Sequence, residues 1–301
     1  MSSTIKNLVF EGGGVKGIAY AGAIKALENN GLMNSIERVA GTSAGAITAT
    51  LVSIGCNADK IYEIVSSTNF ISFEDDKNVL HILTKYGLYK GDYFLNWIKG
   101  ILTDLKLSPT ATFSDLKNAK MKNLHVFATD LSTKNIKEFS FQTTPNVVVA
   151  EAVRASMSIP FFFTAWKFSN NNPDNHIYVD GGVAYNYPIT TFDVDGAVNM
   201  ETLGLHLDDI NKKTVVADLD YDNLRQYTIN LFDILLNTED LEDERSTIAL
   251  SRSVKIDDFG ISATDFQITK EQQDQLYQSG LSATNNYISK KMATASVKTT
   301  A

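Results

Sequence analysis

A serine with glycines two positions before and two after it, at the junction of a strand-like and a helix-like run, constrains this chain more than any other feature. The segment is Gly41-Thr42-Ser43-Ala44-Gly45, preceded by Ile36-Glu37-Arg38-Val39-Ala40 and followed by Ala46-Ile47-Thr48-Ala49-Thr50-Leu51-Val52. A strand turning sharply into a helix brings backbone too close for side chains at the flanking positions, which explains Gly41 and Gly45. It also strains the serine so that its Oγ is presented, and Ser43 is the candidate nucleophile. The competing reading is an ordinary strand-to-helix turn that happens to contain serine.

Two further segments bear on that choice. Glu11-Gly12-Gly13-Gly14-Val15-Lys16-Gly17 follows the apolar Leu8-Val9-Phe10 and opens a helix expected over 16–30, with Gly31 just past its end. Consecutive glycines cost conformational entropy, and their use is to bring bare N–H groups close to something negative. A helix N-terminus and the Lys16 ammonium add positive charge, so Gly12, Gly13, Gly14, Lys16 and Gly17 form a candidate oxyanion hole. Gly12, Gly14 and Gly17 also match a dinucleotide-binding Gly-x-Gly-x-x-Gly. That reading wants an acidic residue closing the second strand, where the serine elbow stands instead. The third segment, His176-Ile177-Tyr178-Val179-Asp180-Gly181-Gly182-Val183, alternates like a strand and ends in Asp-Gly-Gly. The turn at Gly181 and Gly182 would hold the Asp180 carboxylate rigidly at the sheet's edge, although alone the segment is an ordinary Asp-Gly turn.

In this order, the glycine loop, the Gly-x-Ser-x-Gly elbow and the Asp-Gly-Gly resemble the patatin-like phospholipase family of lipid acyl hydrolases. A fourth element of the family, Ala-Ser-x-x-x-Pro, is matched by Ala155-Ser156-Met157-Ser158-Ile159-Pro160. The resemblance spans about residues 5–205 and implies an α/β fold, a central mostly parallel sheet flanked by helices in three layers. It also implies a Ser43–Asp180 dyad that needs neither metal nor cofactor. Asp180 would take the Ser43 proton as Oγ attacks an ester carbonyl, the glycine N–H groups would hold the oxyanion, and water would release the fatty acid from an acyl-serine. Acyl transfer to another acceptor is the nearest variant, and a silent lipid-binding or regulatory module on the same fold is the different-class alternative. A Ser–Asp–His triad is a further alternative. Of His81, His125, His176 and His206, only His206 follows Asp180, and it sits in an apolar strand-like run where a structural role is expected.

Composition fits an acidic enzyme. Lys and Arg number 27 against 35 Asp and Glu, a formal charge of −8, which opposes wholesale nucleic-acid binding and attraction to anionic bilayers through net charge. Cys56 is the single cysteine, so no intrachain disulfide forms. Neither a conventional signal peptide nor an apolar run of about 18 residues is present. The expected location is therefore cytoplasmic or peripheral at membranes, with non-classical export as an effector consistent with the family. Partners expected by analogy are a phospholipid or other lipid ester, a membrane surface, and an activator or host factor.

Strand-like and helix-like segments alternate, as helices covering a parallel sheet require. Helices are expected over 58–67, 92–102 and 147–155, and a hairpin over 124–130 and 136–141. Residues 1–210 are read as the catalytic domain and 211–301 as a mainly helical extension packed on it. Pro160-Phe161-Phe162-Phe163-Thr164-Ala165-Trp166 is read as core in preference to an acyl-chain groove. The apolar pattern over 227–236 is read as a packed helix in preference to a lid, and the acidic run over 239–244 as a solvated face.

Overall fold

Leu8, Val9 and Phe10 are all fully buried because the strand they form, β1 (Asn7–Phe10), lies inside a parallel sheet with a packed layer on each face. The computed structural model describes residues 4–210, 226–228, 230–234 and 247–299. After β1 come α1 (Ile18–Asn29), β2 (Arg38–Thr42), α2 (Ala44–Ser53), α3 (Ala58–Ser66), α4 (Val79–Lys85), β3 (Gly87–Tyr89), α5 (Asp92–Asp104) and α6 (Phe113–Asn118). They are followed by β4 (Asn123–Asp130), β5 (Asn135–Ser140), α7 (Val149–Ser156), β6 (Phe161–Phe163), β7 (Tyr178–Asp180), β8 (Thr202–Asp208), β9 (Ser253–Asp257) and the C-terminal helix Lys270–Thr299.

Among the described residues the main sheet has seven strands in the order β5-β4-β2-β1-β8-β9, with β7 also paired to β4. β9-β8-β1-β2-β4 run parallel, and β5 and β7 join β4 antiparallel. Side chains alternate between two apolar layers, as the period of a strand dictates. Leu8, Phe10, Val39, Val126 and Leu205 enter the main core, whereas Val9, Ala40 and Phe127 meet Tyr187, Ile189 and Phe192 on the other face.

The expected hairpin is the β4–β5 pair, and the three expected helices are α3, α5 and α7. The helix expected from Lys16 begins instead with a tight 3-10 turn over Gly14–Gly17, and α1 proper starts at Ile18. In the aromatic run, Phe162 and Phe163 are core, while Phe161 projects outward at 45 % exposure. β6 pairs with β3 in a separate two-stranded sheet.

After residue 210 the mainly helical expectation meets a strand. β9 extends the central sheet beside β8, with Val254 and Ile256 in the core. Its five residues are too few to show a period that separates strand from helix. The C-terminal helix lies along α1, and two glycines permit the approach: a Cβ at Gly22 would fall 1.9 Å from the Tyr277 carbonyl oxygen, and one at Gly280 1.9 Å from that of Ala19. Residues 226–228 and 230–234 are helical, whereas the acidic run over 239–244 lies outside the described residues.

Candidate active site

β2 ends at Thr42 and α2 begins at Ala44, so the whole change of direction falls on Ser43, with φ 54° and ψ −126°. Such a backbone in a residue with a side chain costs on the order of 1–3 kcal/mol and is retained where the surroundings enforce it. The surroundings here are backbone. A Cβ at Gly41 would sit 2.2 Å from the Gly45 carbonyl oxygen, and one at Gly45 2.4 Å from that of Phe10. A side chain at Gly41 would collide with the turn itself, and one at Gly45 with the neighbouring strand β1.

Asp180 reaches Ser43 through strand register. Thr42 pairs with Phe127 of β4, and the next β4 residue, Ala128, pairs with Asp180 of β7. β7 thus takes over the edge of β4 where β2 leaves it. The Ser43 hydroxyl donates to Asp180 Oδ2 at 2.8 Å, and Asp180 Oδ1 accepts the Gly182 N–H at 2.8 Å. A Cβ at Gly181 would meet the Phe127 carbonyl oxygen at 2.5 Å, which accounts for the first turn glycine. Ser43 is 2 % exposed and Asp180 fully buried. Burial pushes the Asp180 carboxyl up to about 7, against the smaller opposite pull of its bonds from Gly182 and Ser43. A carboxyl there is half ionised near neutrality and accepts a proton far more readily than an exposed aspartate.

The glycine loop lies against the elbow. A Cβ at Gly12 would come within 3.2 Å of the Ser43 Cβ, and one at Gly17 within 3.2 Å of that of Ala44. Gly14 has φ +54°, and a Cβ there would fall 1.8 Å from the Ala263 carbonyl oxygen, which accepts the Val15 N–H. The loop departs from the expected oxyanion hole in two respects. The Gly12 N–H is already bonded to the Asn186 carbonyl. Lys16 is not a bare cation, because its Nζ lies 2.6 Å from Asp258 Oδ2 in a largely buried ion pair. Burial works against the Lys16 charge, but Asp258, with Glu11 and Asp233 beyond it, outweighs burial and raises its pKa. The N–H groups of Gly13 and Gly14 make no backbone hydrogen bond among the described residues.

His206 is not beside Asp180. Its Nδ1 is 3.0 Å from the buried Glu11 carboxylate and its ring packs on Tyr187. Both Asp180 oxygens are bonded to Ser43 and Gly182, so no histidine stands between serine and acid. His125 pairs with Glu138, and His176 with Asp130.

Several participants carry no local sequence signal. Glu11 Oε2 accepts the Leu207 N–H and Asn186 donates to Glu11 Oε1, which ties the loop to β8 and to the segment after the Asp-Gly-Gly turn. Met157 Sδ is 3.3 Å from Ser43 Oγ. Asp258 and Ala263 reach the loop from the far end of the chain. An acidic residue closing an apolar strand, as Glu11 does, was the one visible hint.

The architecture defines the class as an α/β protein with a serine–carboxylate pair at the C-terminal edge of a mostly parallel sheet. A sequence profile described as patatin-like phospholipase matches residues 8–193, and the chain belongs to that family, whose activity is lipid hydrolysis. It is 30 % identical over 296 residues to uncharacterized protein R571 of Acanthamoeba polyphaga mimivirus, covering 96 % of this chain and 95 % of the relative. It is 27 % identical over 186 residues to probable lipid hydrolase 463L of Invertebrate iridescent virus 6, 61 % of this chain and 62 % of that one. The crystal structure of VipD from Legionella pneumophila shares the fold with a TM-score of 0.68 at 19 % identity, over 96 % of this chain and 67 % of VipD. No helix among the described residues is long and apolar enough to cross a membrane.

Proposed function

We propose that the protein is a phospholipase A-type acyl hydrolase that cleaves fatty-acyl esters through an acyl-serine formed on Ser43, with Asp180 as the base. The observation that carries the reading is the 2.8 Å hydrogen bond from Ser43 Oγ to a buried Asp180 at a strained elbow. Asp180 takes the hydroxyl proton as Oγ attacks the carbonyl carbon. The N–H groups of Gly13 and Gly14 are the donors assigned to the developing oxyanion, and the alcohol or lysolipid leaves with a proton returned by Asp180. Water then gives a proton to Asp180 and attacks the acyl-serine, and as the fatty acid leaves, Asp180 returns that proton to Ser43 Oγ. No histidine enters the cycle. A lipid ester as substrate accords with the family and with the printed name of the 463L relative.

The test is fatty-acid release from mixed phospholipid vesicles by the wild type, Ser43→Ala, Asp180→Asn and His206→Ala, with and without eukaryotic cell extract to supply an activator. Release is expected from the wild type and from a folded His206→Ala, and a loss of at least about a thousandfold from the other two. Equal release by wild type and Ser43→Ala would sink the reading.

A further inference from the structure

The segment Ala155-Ser156-Met157-Ser158-Ile159-Pro160 makes and breaks no bond in the reaction above, yet it holds both groups that do. α7 ends at Ser156, whose Oγ accepts the Ser43 N–H at 2.8 Å and donates to the Phe127 carbonyl at 2.5 Å. Phe127 is the β4 residue opposite Thr42. This one hydroxyl therefore bridges the strained elbow to the strand that sets its register. Two residues later the Ser158 carbonyl accepts the Asp180 N–H at 2.8 Å. The Ser158 hydroxyl accepts from Arg154 at 2.6 Å and donates to the Arg154 carbonyl at 2.9 Å. The Arg154 guanidinium also bonds the carbonyls of Lys90, Gly91 and Thr164. Ser156 and Ser158 are both fully buried.

Resting on the Ser43–Asp180 reading, we propose that Ser156 is a positioning residue for the nucleophile, its hydroxyl accepting from the elbow and donating to β4 so that Ser43 Oγ stays aimed at Asp180. An elbow peptide with φ 54° relaxes unless its N–H is held, and no water reaches a fully buried position to replace the bond. The site demands a small side chain that donates and accepts at once. Alanine does neither, and cysteine fills nearly the same space with a weak donor and a weak acceptor. The same bond occupies the Ser43 N–H, so that group is not available to an oxyanion. The Ser43 bond also lowers the proton affinity of Asp180, so a loosened elbow raises it and carries the acid limb of the pH profile upward.

The full chain is compared as wild type, Ser156→Ala, Ser156→Cys, Ser156→Thr and Ser43→Ala. Readouts are the labelling rate by a fluorophosphonate across pH, and kcat and KM on a short nitrophenyl ester. The Ala and Cys variants are expected to label about tenfold to a hundredfold more slowly, with kcat down by a similar factor and KM unchanged. Their acid limb moves to higher pH, and Ser156→Thr regains most of the rate. If Ser156→Ala melts below the assay temperature, Ser156→Cys carries the comparison. Ser43-dependent labelling of the wild type, matched in rate and pH profile by the Ala and Cys variants, overturns this assignment alone. Wild-type labelling that is absent, or persists in Ser43→Ala, overturns the nucleophile and this assignment with it.

Discussion

Asp180 is the residue on which chemistry and stability pull in opposite directions. Its carboxyl is raised to about 7 in the folded protein by burial, whereas an unfolded aspartate titrates near 3.9. Below both values it is protonated in either state and contributes nothing to pH dependence. As pH rises between them the unfolded chain loses the proton first, and above about 7 the folded state carries the whole penalty, about 4 kcal/mol. Asp180→Asn removes that penalty. It is therefore expected to melt at a higher temperature than the wild type near pH 8 and to converge with it near pH 4, in calorimetric scans across pH. Hydrolysis by the wild type is expected to fall as pH drops through about 7, because the base must be ionised. A melting difference that does not change with pH would show that Asp180 is ionised or neutral throughout.

At the scale of elements, α1 and the C-terminal helix pack backbone to backbone, with Gly22 and Gly280 each facing a carbonyl of the other helix. Gly280→Val would drive two methyl groups into the backbone at Ala19 and is expected to cost at least about 2–3 kcal/mol. Thermal melting checks this, and Ser289→Val on an exposed part of the same helix serves as the control, with little change expected. Legibility in the sequence divides along the same line. The elbow could be read because its glycines recur at a fixed spacing around the serine, although only Gly41 is crowded from within the turn, by Gly45, while Gly45 is crowded by Phe10 of β1. The β4–β5 hairpin could be read because a polar turn separates two alternating runs. Gly22, inside an alanine-rich helix, looked like any tolerated helical glycine, because the carbonyl it accommodates lies more than 250 positions away. β9 was illegible for a related reason: a five-residue strand takes its identity from the neighbour it pairs with.

Across the whole molecule, the two ends of the chain meet at the glycine loop. Lys16 bonds Asp258, 242 positions later, and the Ala263 carbonyl takes the Val15 N–H. Removing one partner of a buried pair leaves the other charge uncompensated, at a cost of about 3–5 kcal/mol. Asp258→Ala is therefore expected to lower both melting temperature and turnover, and Lys16→Met combined with Asp258→Ala to restore much of the stability. A double variant no more stable than Asp258→Ala would show that the stranded ammonium was not the cause. Residues beyond 210 thus help build the proposed site, and a fragment ending there would lack a sheet strand and the support of the loop that faces Ser43.

The pairing of Thr42 and Asp180 with consecutive residues of β4 has a consequence for how such a chain can change over time. Ser43 and Asp180 stand 137 positions apart, yet their separation in space is gauged along one strand, β4, and braced at the end of α7. Apart from β4 and the end of α7, helices and surface loops in that interval can lengthen, shorten or be exchanged while the two side chains keep their distance. The covering layer is thereby free to diversify around a pair whose spacing is copied from the sheet.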